Sequence, residues 1–387
     1  MKVRVLRVVT ASFVVHWHLS NTLKRISDDF ETCVVGQDVS LCKDVYPNIK
    51  FADININRKT SLFDDILAFY SLCKFIIIYK PQIIHSIMPK AGFLASIAGF
   101  ICRVPIRVHT FTGQTWVAKK GISRHIYYVL DLLINFLNTE CLTDSNSQSD
   151  FLFENYIRHA GKSLKVLSKG SLSGVDISRF NLEILLKNSH ELKKQLNIKD
   201  KDFVFSYIAR KTKAKGALDI LVAFHEISLI NPRVQLLFIG PDEDGLISEL
   251  KKSKPYLFDR VIELGHVDSP ELYLAITNVL CLPSYREGFG SIVIDAAALG
   301  VPTIGSRIPG LYDSISDNET GILINAGDIG ELVIKMRLMI EKPDLLKEMG
   351  FNAKNRVHQF FTADKLYQEL KFFYKRCLIE KFGSEVY

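Results

Sequence analysis

The residues richest in chemistry lie in PSYREGFGSIVIDAAALGVPTIGS, positions 283 to 306, where Glu287, Gly288, Phe289 and Gly290 make a turn between a strand ending at Pro283 and a helix beginning near Ser291. Two glycines let backbone approach a ligand closely, and the N-terminus of the following helix offers free N–H groups at a positive dipole end. Together these make an anion site suited to a diphosphate. Asp295 falls about one turn into the helix, where its carboxylate can accept both hydroxyls of a ribose, and Glu287 can reach sugar hydroxyls beyond the phosphates. Taken alone, the pattern also fits any strand-glycine-helix turn.

A second set of charges precedes it. FVFSYIAR (203 to 210) reads as a strand that Arg210 ends, and Lys215 with Gly216 opens the helix that follows in KTKAKGALDIL. Cations at the C-terminal edge of a parallel sheet stand where open α/β sheets bind ligands and can neutralise a departing diphosphate. A solvated loop has the same look by itself. Farther upstream, RVHTFTGQTW (107 to 116) sets His109 at a strand end before a loop with Gly113, Gln114 and Trp116. Asp242, Glu243 and Asp244 follow the apolar strand VQLLFIG as a D-x-D whose carboxylates can share a hard cation. Because Lys215 and the helix at 291 already supply positive charge, we expect no metal and no other cofactor.

These loops need a scaffold, and the hydrophobic pattern describes one. Short β-branched runs at 3 to 9, 31 to 36, 80 to 87 and 106 to 111 alternate with longer amphipathic stretches, and a second series runs through 203 to 210, 234 to 240, 260 to 265, 278 to 284 and 301 to 306. Such alternation predicts βα units and two doubly wound parallel sheets. Turn formers cluster in KGSLSGVD, residues 169 to 176, which marks the boundary between the two halves. Helical pattern continues after Pro343 to about Phe382.

Composition agrees with a folded, water-exposed chain. Of 387 residues 48% are hydrophobic and 24% charged, with a net charge of +7, which argues against disorder and predicts two or three domains. Seven cysteines without a C-x-x-C pair suggest neither a disulfide framework nor a zinc site, and a reducing cytoplasm suits them. MKVRVLRVVT reads as a first strand rather than a signal peptide, and the apolar, uncharged run 91 to 102 is too short to span a bilayer. Residues 1 to 170 hold 21 Lys plus Arg against 13 Asp plus Glu, a difference of +8, so the first half carries the basic excess. That field suits a phospholipid surface or a lipid-linked diphosphate; nucleic acid is not expected, because no basic run is interleaved with aromatics.

The order of these motifs resembles the retaining glycosyltransferases of the GT-B fold in family 4. Their pattern is an Arg and a Lys-Gly after the first strand of the C-terminal domain, then E-G-F-G with an acidic residue eight positions after the Glu, here Arg210, Lys215, Gly216, Glu287 to Gly290 and Asp295. The likeness spans most of 165 to 355, including GSLSGVD with Arg179 and Phe180 after it, and DNETGILI. It implies two Rossmann-like doubly wound domains facing across a cleft: an acceptor-binding domain at 1 to 170, a nucleotide-sugar-binding domain at 171 to 355, and a helical segment at 356 to 387 crossing back to the first.

It further implies a nucleotide-diphosphate sugar donor. Arg210 and Lys215 would hold the diphosphate, Glu287 the donor sugar, Gly288, Phe289 and Gly290 the phosphate turn, Asp295 the ribose, and His109 a position near the reaction centre. Two features depart from the pattern: Asp295 stands where the family usually has Glu, and the loop expected at Thr10 to His16 lacks paired glycines. The HTFTGQ-W wording also resembles transferases that add an N-acetylhexosamine to polyprenyl-diphosphate-linked sugars in bacterial O-antigen or capsule assembly. The resulting expectation is a hexosyltransferase using a UDP-sugar and a lipid-linked saccharide acceptor, cytoplasmic and peripheral on the inner face of the membrane. The basic, apolar stretch 117 to 137 is read either as a core-facing helix with a solvated end or as an interfacial helix on anionic lipid. A same-fold nucleotide-sugar epimerase and a non-catalytic sugar-nucleotide or glycan binder are the alternatives.

Overall fold

The computed structural model describes residues 2–56 and 61–383. They form two compact units, Met1–Gly174 together with Ala363–Tyr387, and Val175–Thr362. Residues 356–362, grouped from sequence with the last helical segment, lie in the second unit, while 384–387 of that segment are outside the described residues.

The first unit holds β1 (Arg4–Ala11), β2 (Glu31–Gln37), β3 (Lys50–Asp53), β4 (Ile83–Ile87), β5 (Ile106–Phe111), β6 (Glu140–Thr143) and β7 (Lys165–Val166). Among the described residues they make a seven-stranded parallel sheet in the order β3-β2-β1-β4-β5-β6-β7. Residues alternate between two cores. Val5, Val9, Ile83 and Ile87 face the helices Ser20–Asp29 and Ala363–Phe382, whereas Leu6, Val8 and Ile84 face Leu62–Tyr79 and Pro89–Ile101. Burial on both faces is why these strands read as near-continuous apolar runs.

The second unit holds β8 (Phe203–Ile208), β9 (Val234–Ile239), β10 (Val261–Leu264), β11 (Val279–Leu282), β12 (Thr303–Ser306) and β13 (Gly321–Ile324), ordered β10-β9-β8-β11-β12-β13 among the described residues. In each sheet the strand order reverses once, between β1 and β4 and between β8 and β11. At such a reversal the loops leaving the two strands diverge to opposite faces and open a crevice.

Several local expectations change. β8 ends at Ile208, so Arg210 lies two residues beyond the strand instead of closing it. Residues 12–19 are helical, Ser12–Val14 continuing into the π-turn Val15–Leu19, where a loop was expected. No Gly or Pro interrupts that stretch, and Val14, Val15 and Leu19 bury against the sheet. β3, β6, β7 and β13, each four residues or fewer, are strands that the sequence reading did not name. Among the described residues no helix is long and apolar enough to cross a membrane.

Candidate active site

The reversal between β8 and β11 gathers most of the residues singled out from sequence. Two loops leave these neighbouring strands, one running to Lys215 and Gly216, the other from Pro283 to Gly290. They lock together through backbone: Tyr285 N donates to Ala214 O at 3.0 Å, and Gly216, at φ +69°, lies so close to Pro283 that a Cβ would fall on its carbonyl oxygen. Only glycine meets both demands.

Side chains complete the junction. Lys215 Nζ lies 2.6 Å from Glu287 Oε1 and donates to Arg286 O at 3.2 Å, with the pair 16% and 11% exposed. Ser284 Oγ donates to the same Glu287 oxygen at 2.9 Å. Arg210 Nη1 pairs with Glu243 Oε2 at 2.9 Å, and Tyr207 O–H fixes the Arg210 carbonyl at 2.7 Å. Tyr285 is tied to Asp219 at 2.8 Å.

Arg286 is a cation of this junction that the sequence reading missed. Burial lowers its guanidinium pKa, nearby Arg210 lowers it further, and Glu287 opposes them. Its signal was adjacency, Arg directly before Glu in Y-R-E-G, which carries no weight until the loop's folding is known. Gly310 was also missed. It seats the turn: a Cβ there would fall on Gly288 O. Gly290 is the N-cap of the helix Ser291–Ala298, whose first turn has no side-chain cap and no acidic residue. Its N–H groups and dipole therefore face the turn, an arrangement that suits an anion.

Two expected site residues have different surroundings. Phe289 is 3% exposed and packs edge-on to Phe361 with centroids 5.4 Å apart, so its ring belongs to the core and only its backbone lies in the turn. Asp295 is half-buried near the ion pair between Arg179 Nη2 and Glu271 Oε2, 2.7 Å long. Desolvation pushes its carboxyl pKa up to about 7, with Arg179 pulling down and Glu271 pushing up.

In the stretch Asp242 to Asp244 two acids have protein partners. Glu243 holds Arg210, and Asp242 Oδ2 accepts from Ser248 N and Oγ at 3.3 and 3.4 Å, anchoring the next helix. Among the described residues no group of three or more His, Cys, Asp or Glu could hold a metal.

His109 lies in the first unit and needs a correction. It is the fourth residue of β5, not its end, and is 1% exposed. Its Nδ1 is 2.9 Å from Ser86 Oγ, its ring meets Phe111 edge-on, and the missing Cβ of Gly92 leaves the space it fills. Burial pushes its pKa down to about 3, so it is neutral at pH 7.

The stretch 117–137 also resolves. The helix Gly121–Leu137 buries Asp131, Ile134 and Leu137 but exposes Ile122, Ile126, Val129, Leu133 and Phe136. Lys119, Lys120 and Arg124 are exposed at its start. It packs beside Pro89–Ile101, which packs beside Leu62–Tyr79, and that last helix exposes Leu62, Phe63, Ile66, Tyr70, Ile77 and Ile78. A helix apolar on its buried and its open face alike is unusual at a water-exposed surface.

Comparison with known proteins finds relatives of this chain and of its fold. The model of the family described as glycosyl transferases group 1 matches residues 188–356. The capsular polysaccharide biosynthesis glycosyltransferase CapM of Staphylococcus aureus is 30% identical over 339 residues, 86% of each chain. The UDP-Gal:alpha-D-GlcNAc-diphosphoundecaprenol alpha-1,3-galactosyltransferase of Escherichia coli is 25% identical over 94% of this chain and 96% of its own. Anabaena HepE, solved with UDP and glucose, superposes with a TM-score of 0.80 at 17% identity, over 97% of this chain and 100% of its own.

Proposed function

The chain belongs to the glycosyl transferases group 1 family and has the GT-B fold of two Rossmann-like domains, and from that premise we propose that it moves a hexosyl unit, with retention of configuration, from a UDP-sugar to a lipid-linked saccharide. An N-acetylhexosamine is the preferred donor sugar, and the setting is bacterial surface polysaccharide synthesis. The observation that carries the donor assignment is that Arg210, Lys215 and Arg286 gather in the loops after β8 and β11, the second of which runs into the helix N-terminus at Gly290.

In this reading the diphosphate lies on those cations and on the Gly288 to Gly290 turn, Glu287 accepts hydroxyls of the sugar, and Asp295 accepts those of the ribose. The bond from the anomeric carbon to the phosphate oxygen breaks, and its electron pair leaves with the diphosphate. The acceptor hydroxyl attacks from the same face and passes its proton to the departing phosphate oxygen. No strong protein base is needed; the protein supplies fixed positive charge where negative charge develops. His109, neutral and enclosed, acts as a positioning residue for the end of β5. Neither a metal nor another cofactor takes part.

Names of the relatives support the acceptor class: one serves capsule synthesis, and another acts on a sugar-diphosphoundecaprenol. The exposed apolar faces of Leu62–Tyr79 and Gly121–Leu137, with Lys74, Lys119, Lys120 and Arg124 on them, support approach to the anionic inner leaflet as a peripheral protein. A thermal-shift panel of nucleotide sugars, then mass spectrometry with the stabilising donor and polyprenyl-diphosphate-linked sugars, tests the reading. The expected result is an acceptor heavier by one hexosyl unit. Conversion of a UDP-sugar without acceptor would make the protein an epimerase, and tight donor binding with neither transfer nor hydrolysis would make it a binding protein.

A further inference from the structure

Among its described residues the first unit contains a buried cation with no carboxylate partner. Arg7, on β1, is 5% exposed and directly neighbours His85 across the β1/β4 pairing. Its Nη1 donates to the Tyr374 hydroxyl at 2.9 Å and lies 3.1 Å from His85 Nδ1. Tyr374 O–H in turn donates to His85 Nδ1 at 2.6 Å, which leaves Nε2–H to donate to Thr110 Oγ1 at 2.7 Å. This chain of bonds is internally consistent only with a neutral imidazole and a protonated phenol. Burial and the neighbouring Arg7 charge both press His85 well below its ordinary pKa. The guanidinium thus faces neutral partners, and the charged or titratable groups that act on His85 and Tyr374 are Arg7, His109 and Cys377, none of them an acid.

An isolated charge costs far too much in a protein interior to be left so. Arg7 Nε has no hydrogen-bond partner among the described residues, and the Thr110 hydroxyl, having accepted from His85, keeps its own hydrogen to give. Both residues line a cavity of about 20 Å³ that Thr22, Thr143 and Ser171 also border, between the sheet and the helix Ala363–Phe382. One water needs roughly 10–15 Å³ by the same measure, so the space admits one small ion rather than a polyatomic one.

We propose that this cavity binds a small monovalent anion of halide size, held by Arg7 and the Thr110 hydroxyl. The anion neutralises the buried guanidinium and so secures Tyr374, and with it the C-terminal helix, on the sheet. The test uses the full chain, melted at constant ionic strength while sodium chloride or bromide replaces sodium gluconate. Halide should raise Tm saturably, by about 3 °C, and Arg7→Met should melt identically in all three salts. Should Arg7→Met fail to fold, crystals of the unaltered protein grown in bromide decide the matter. A bromine anomalous peak within hydrogen-bond reach of Arg7 supports the site; a cavity holding only water, or equal melting of the unaltered protein in halide and gluconate, overturns it.

Discussion

Lys215 Nζ and Glu287 Oε1 stand 2.6 Å apart, joining the first loop of the second unit to the turn that follows β11. The cation we propose for the diphosphate and the carboxylate we propose for the sugar are therefore each other's partners. Donor binding must share or divide this pair, so the two residues should behave as one unit.

Lys215→Ala and Glu287→Ala should each lower turnover by about a hundredfold or more, the scale of one lost contact to developing charge. Each also leaves a mostly buried charge alone, costing about 1–3 kcal/mol of stability. The double variant should lose far less than the sum in both turnover and melting temperature. Strictly additive losses would show that the two side chains act separately.

The ribose contact we propose for Asp295 should make donor affinity depend on pH. Its carboxyl, pushed up to about 7, must be ionised to accept two ribose hydroxyls, so donor affinity should fall as pH drops through 7, and Asp295→Asn should bind weakly with little pH dependence. For stability the sign is opposite. A raised folded pKa favours the fold below the unfolded value of 3.8, and that advantage disappears as pH rises through 7. Asp295→Asn should therefore melt higher than the unaltered protein at pH 8, by roughly 1–2 kcal/mol after allowance for screening, and the gap should close near pH 4. Calorimetry across that range measures both.

Activity should survive excess EDTA, since Arg210, Lys215, Arg286 and the helix N-terminus supply the positive charge. Complete loss on chelation, restored by Mn²⁺, would transfer the diphosphate role to Asp242 and Asp244.

Association with vesicles containing phosphatidylglycerol should weaken with salt, as attraction confined to a Debye length of roughly 8 Å requires. Changing Lys119, Lys120 and Arg124 to Glu should abolish most sedimentation at low salt while soluble donor still binds. Ile66→Ser with Tyr70→Ser, on the helix Leu62–Tyr79, should weaken it by an apolar route that salt does not mimic. Equal sedimentation of all three proteins would remove both helices from any lipid contact.

Sequence alone sufficed for the order of βα units in two parallel sheets and for the turn before the helix at Ser291, because apolar runs between turn formers and a Glu-Gly-Phe-Gly before a helix are local patterns. Which way a side chain points is not local. Phe289 turns into the core because Phe361 waits there, His109 is enclosed because Gly92 leaves room over its ring, and Arg286 joins the cations because its loop folds toward Arg210. The pairing of Lys215 with Glu287 depends on β8 and β11 becoming neighbours, a consequence of strand order that no window of sequence contains. The open apolar face of Leu62–Tyr79 escaped notice for the same reason: a helix hydrophobic all round reads as buried, and only the packing of its neighbours decides which half is left uncovered.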